Sequence, residues 1–187
     1  MKSRYLIGPL VTDVSATTMT EAGAGIRDAL ANGTHARTIR LWLNPNSPEL
    51  GPWLDAAKVA TPEIRGMMVQ GFFARACSKA GYEVMVGKEL DVSARSPFRT
   101  LLIEVKSSLA GGKFGSQAVL NQLDGYSRVS GGRGAEIWLG VMGIKSPIFL
   151  SLALRAEIQN RNIGLLEARW ISPRDTLLPH LSISNLA

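Results

Sequence analysis

Cysteine is almost absent from this chain of 187 residues: Cys77 is the only one, which excludes an internal disulfide and any cysteine-rich metal cluster. Two histidines, His35 and His180, sit far apart with no ligand spacing between them. Charged residues make up only 19%, but hydrophobic ones reach 45%, so the chain can build a core and is not a disordered polyelectrolyte. No apolar run approaches the ~20 residues that span a bilayer, and the start, Met1 to Pro9, has too short an apolar stretch for a signal peptide. These absences predict a reducing, cytoplasmic setting and no membrane partner.

What charge there is leans one way. Lys plus Arg number 21 against 15 acids, a net charge of +6. A basic domain has a reason to meet polyanions, because cations on phosphates release counterions.

Residues 1–60 read as an irregular N-terminal extension of unknown role. Within it Tyr5–Val14 suggests a strand, Thr20–Ala31 a helix, Thr38–Leu43 a strand with Ile39, Leu41 and Leu43 inward, and Glu49–Lys58 a short helix. Residues 61–187 form the core. Thr61 and Pro62 start a helix whose inward face carries Ile64, Met68, Phe72 and Ala76, and Gly81 stops it. Strands follow at Tyr82–Val86, Leu90–Ala94 and Thr100–Lys106, then a helix over Ser116–Ser127 and a strand over Glu136–Met142. A helix over Pro147–Asn160 and a strand over Gly164–Trp170 complete the order α-β-β-β-α-β-α-β, an α/β class with a mixed sheet.

One strand carries the chemistry. Side chains alternate along Leu101-Leu102-Ile103-Glu104-Val105-Lys106, so Leu101, Ile103 and Val105 enter a core while Glu104 and Lys106 share the other face. Two charges on a buried face are costly unless they pair or hold a metal. A hairpin turning near Ser96-Pro97 would bring Asp91 beside Glu104. Paired carboxylates suit Mg²⁺, and a lysine beside them can stabilise a pentavalent phosphate or activate water. The bland alternative is a cross-strand salt-bridge cluster on a solvated sheet face.

Asp91…Glu104-Val105-Lys106, preceded by a helix ending at Gly81-Tyr82 and followed by one bearing Gln122-Leu123-Asp124-Gly125-Tyr126, resembles the core motif of the PD-(D/E)XK nuclease superfamily. The resemblance spans roughly Thr61 to Met142. It implies a restriction-endonuclease-like mixed β-sheet flanked by helices, and a metal-dependent endonuclease of restriction, repair, transposition or defence type that leaves a 5′-phosphate. Mg²⁺, with Mn²⁺ as substitute, would be held by Asp91, Glu104 and the Val105 carbonyl. Lys106 would assist the water, Gln122 (or Gln117) would position a phosphate or water, and Tyr126 would support its helix. Arg95, Arg99, Lys113, Arg128 and Arg133 are candidate contacts to DNA phosphates, with Lys113 placed in a loop. A solvated basic surface is the alternative for the arginines. The chain departs from the family at Leu90, where proline is usual, and at Gln70, where many relatives place an acid; the second change bears on a second metal. The partner expected is DNA, with a homodimer or a larger nuclease complex compatible. The competing reading is a catalytically inactive member that only binds nucleic acid or assembles with others.

Overall fold

A computed structural model describes residues 11–32, 37–87, 90–109, 113–129 and 134–172. In chain order the elements are β1 (Val11–Ala16), α1 (Met19–Asn32), β2 (Thr38–Leu43), α2 (Leu50–Val59), α3 (Pro62–Lys79), β3 (Glu83–Val86), β4 (Val92–Arg95), β5 (Thr100–Lys106), α4 (Lys113–Val129), β6 (Glu136–Met142), α5 (Leu152–Asn160) and β7 (Gly164–Trp170). From Pro62 onward this is the expected α-β-β-β-α-β-α-β order. The strands form one seven-stranded sheet in the order β1-β2-β7-β6-β5-β4-β3. The pairs from β1 to β5 along that order are parallel, and β5-β4 and β4-β3 are antiparallel. The result is a mixed α/β sheet flanked by helices.

Both faces of the sheet are packed. On one face α1, α2 and α3 bury Ile26, Leu54, Phe72 and Phe73 against Ile39, Leu41, Ile103 and Trp138. On the other, α4 and α5 bury Leu123, Leu154 and Ile158 against Leu139 and Leu165. Parallel strands covered on both faces have few places for polar side chains, which makes the charged ones conspicuous. Strands β1 and β2 belong to the same sheet as the rest, through the β2–β7 pairing. Ile39, Leu41 and Leu43 are fully buried in the shared core, as their alternation predicts.

Local signals explain most boundaries. The Thr61 hydroxyl accepts the Ile64 N–H, and Pro62, which has no N–H to satisfy, opens α3. Gly81, at φ 94°, takes the left-handed conformation that turns the chain into β3. Gly164 is required for contact: a β-carbon there would lie 2.1 Å from the Trp138 indole.

Three expectations are corrected. Ile64 is 51% exposed: α3 is exposed over residues 62–64 and burial begins at Val69. The last helix starts at Leu152 and not at Pro147; the Ser151 hydroxyl accepts the Leu154 N–H and sets the start, while residues 147–150 run as a non-helical segment with Leu150 in the core. The helix α4 starts at Lys113, so that residue opens a helix and does not sit in a loop. The part of the Tyr5–Val14 strand before Val11 lies outside the described residues, as do His35 and His180.

Candidate active site

The antiparallel register sets the geometry. Val92 stands opposite Ile103 and Ser93 opposite Leu102, so Asp91, one step before β4, faces Glu104. Asp91 then continues the ladder with its side chain: Oδ2 accepts the Val105 N–H at 2.8 Å. Gln70, reaching from α3, donates to the Asp91 carbonyl at 2.8 Å and to Oδ1 at 3.3 Å. From the other side of the sheet, the Tyr126 hydroxyl on α4 accepts the Asp91 N–H at 3.1 Å. Two helices and one strand therefore fix Asp91: Gln70 and the Val105 N–H hold its carboxylate, and Gln70 and Tyr126 its backbone.

Glu104 is buried, with 4% of its surface exposed, and its carboxylate is paired to the Lys106 ammonium two residues on. The Lys106 side chain is 21% exposed, so the pair opens to solvent at the lysine end. Burial raises the Asp91 carboxyl above its ordinary value. The Val105 N–H and the Lys106 charge pull it back, and the charge and hydrogen bond of Glu104 push it up further. Tyr126 is raised well above the usual phenol range, first by burial and then by its hydrogen bond to Glu104.

This donor set suits a hard divalent cation. Two carboxylates lie side by side, one buried, and their repulsion is what a cation relieves. On a strand the carbonyl of a residue points to the same side as its N–H, so the Val105 carbonyl faces the Asp91 side. Among the described residues no three His, Cys, Asp or Glu side chains come together as a metal cluster. Protein ligation therefore has two carboxylates to draw on, a number typical of Mg²⁺ sites that keep water and phosphate as further ligands.

The remaining candidates separate. Gln122 stands one turn before Tyr126 on α4, exposed, without a hydrogen bond to Asp91, Glu104 or Lys106. Gln117 is exposed and bonds Asn121 on its own helix. Arg95 and Arg99 sit at the turn end of the β4–β5 hairpin, whereas Asp91 and Lys106 occupy its open end. Arg99 is also occupied, pairing with Glu136 at 2.7 Å and donating to the Leu30 carbonyl at 3.0 Å. Arg128 is exposed in the last turn of α4. The Lys113 side chain and Arg133 lie outside the described residues.

A second charged cluster was not anticipated. Glu167 on β7 is 1% exposed and is met by Arg40 of β2 at 3.0 Å, Arg169 at 3.3 Å and Arg155 of α5. Burial alone would raise its carboxyl; the hydrogen bond and charge of Arg155, with Arg169 and Arg40, outweigh that and hold it below the usual carboxylate range. The signal was in the sequence: Leu165-x-Glu167-x-Arg169 repeats the alternation of Leu102-x-Glu104-x-Lys106.

No family model matches this chain, and no curated protein matches it. The crystal structure of a repair endonuclease from Pyrococcus abyssi is similar over 61% of this chain at 14% identity, with a TM-score of 0.37. The chain spans about half of that protein, 49% of its length.

Proposed function

We propose that this protein is a metal-dependent endonuclease that hydrolyses DNA phosphodiester bonds at Asp91, Glu104 and Lys106. The observation that supports it most is the β4–β5 register, which sets two carboxylates against each other with a lysine on the same strand face. A plain salt-bridge cluster accounts less well for the site, since one acid and one base would satisfy the pairing and Asp91 adds a second acid at a cost.

Asp91 and Glu104 would hold Mg²⁺, or Mn²⁺ in its place, with the Val105 carbonyl as a further ligand. Such an ion supplies charge for the phosphate oxygens and lowers the pKa of a bound water. The residues of the chain do the positioning. Gln70, Tyr126 and the Val105 N–H hold Asp91 in one orientation, which removes reorganisation from the chemical step. Glu104 keeps the Lys106 ammonium at the mouth of the site, where it can orient the attacking water and stabilise the charge that builds on phosphorus. Gln122, exposed on α4 one turn before Tyr126, would contribute by contacting a phosphate of bound DNA. The net charge of +6 favours the polyanion. Cutting both strands would take two such sites, which a symmetric dimer provides.

The test is cleavage of plasmid, linear duplex, branched and single-stranded DNA, and RNA, in Mg²⁺, in Mn²⁺ and in EDTA. Metal-dependent cutting of DNA supports the reading. Salt-sensitive binding with no cutting of any substrate would replace it by a nucleic-acid-binding role.

A further inference from the structure

A cavity of about 490 Å³ opens at the carboxyl ends of β2, β6 and β7, lined by Trp42, Lys58, Val141, Lys145, Phe149 and Arg169 among others. A smaller recess of about 290 Å³ adjoins it, lined by Arg65, Ser107 and Ser108 and sharing the wall formed by Ile144 to Phe149. Ser107 directly follows β5, so the two adjoining hollows form a groove that reaches the carboxyl end of the strand carrying Glu104 and Lys106. In parallel α/β sheets the carboxyl ends of the strands are where ligands collect.

The sheet register shows how the groove is charged. Lys106, Val141, Glu167, Arg40 and Asp13 stand in one row across five strands, side chains on the same face. At ~4.8 Å between strands, Glu167 lies roughly 10 Å from Lys106. Three arginines converge on Glu167, and Asp13, at 3.6 Å from Arg40, is the one further carboxylate in contact with them among the described residues. The cluster therefore keeps a positive excess. Lys145 is exposed and has no carboxylate partner among the described residues. Aromatic faces accompany the cations: the Arg169 guanidinium lies 5.9 Å from the Trp42 ring and 5.6 Å from that of Phe149, and Phe149 is 73% exposed. An exposed phenylalanine beside cations in a cavity of nucleotide size suits a base and its phosphate together.

We infer that this groove is a subsite for an unpaired nucleotide of the substrate, its base against Phe149 and Trp42 and its phosphate on Arg169 and Lys145. The inference rests on the nuclease reading and names its substrate class: nucleic acid with unpaired nucleotides beside the scissile bond. In a duplex both faces of each base are covered by neighbours, so only an unpaired or flipped base can stack on protein rings.

The test is fluorescence anisotropy in EDTA, where nothing is cut, with a labelled single strand and a duplex of the same sequence and length. The wild type binds the single strand more tightly. Phe149→Ala, at an exposed position, weakens single-strand binding about tenfold without changing duplex binding or Tm, and Lys145→Ala lowers the salt dependence of single-strand binding. Equal affinity for the two DNAs, or variants that bind the single strand like the wild type, would overturn the inference. Cleavage in Mg²⁺ by wild type and Lys106→Ala separates the two claims. If nothing cuts but Phe149→Ala still loses single-strand binding, the nuclease reading fails and the subsite remains. If cutting depends on Lys106 while Phe149→Ala binds and cuts unpaired substrates normally, the subsite alone fails.

Discussion

Asp91 Oδ2 accepts the backbone N–H of Val105 at 2.8 Å, the residue between Glu104 and Lys106. This bond ties the carboxylate to the strand that carries the other two charged groups, so the three move as one unit. Asp91→Asn keeps an acceptor for Val105 and removes a carboxylate that burial and Glu104 disfavour. Asp91→Ala leaves the N–H unpaired, at about 1 kcal/mol. Thermal melting without metal should rank Asp91→Asn above Asp91→Ala, and calorimetric titration should show Mn²⁺ affinity lost in both. An Asp91→Ala protein that melts above Asp91→Asn would mean the bond does not hold the strand.

Lys106 neutralises a glutamate that is almost fully buried. Lys106→Ala should cost about 3 kcal/mol by stranding that charge, and cleavage should fall by at least ~100-fold. Glu104→Gln added to Lys106→Ala should restore most of the lost stability and none of the activity. Urea unfolding of the two single variants and the double variant measures the coupling. Additive losses would show that the pair does not interact.

The Glu167 cluster gives a dependence on pH. Its folded carboxyl is held below the unfolded value, so its contribution to stability is present above the ordinary carboxylate range and is lost as pH falls through the lowered folded value. Glu167→Gln should lose about 3 kcal/mol near neutral pH. The gap in Tm between wild type and variant should close in acid. A gap that stays constant down to low pH would remove the ion cluster as its cause.

Gly164→Ala should be destabilising by about 2 kcal/mol, because its β-carbon meets the buried Trp138 indole. Gly71→Ala, in open space on α3, is the control and should not lower Tm. Chemical denaturation of both variants distinguishes a packing effect from a general effect of removing glycine.

Much of the fold was legible because period and polarity agreed. The spans Thr100–Lys106, Glu136–Met142 and Gly164–Trp170 are strands at the expected residues, each an apolar run bounded by turn residues. Helix starts were less legible. Pro147 looked like a first helical residue, but Ser151 supplies the cap and Leu150 is drawn into the core ahead of it. Lys113 follows two glycines and looked like loop, although the chain is helical from that residue on. At the site, the facing of Asp91 and Glu104 followed from hairpin arithmetic alone. The support around them did not, because Gln70 and Tyr126 come from helices on opposite faces of the sheet. Arg99, close to Glu104 in sequence, lies at the far end of the hairpin, since distance along a strand grows by ~3.3 Å per residue. The arginines around Glu167 come from three separate elements, and only the sheet order brings them together.

The proposed nuclease activity requires Asp91, Glu104 and Lys106 to act as one metal-dependent phosphodiesterase site. The most direct measurement pairs DNA cleavage in Mg²⁺ with Mn²⁺ binding, both on wild type and on Lys106→Ala. The wild type should cut and bind the metal, while Lys106→Ala should bind the metal and not cut. Cutting by Lys106→Ala at the wild-type rate, or a wild type that binds no metal, would contradict it.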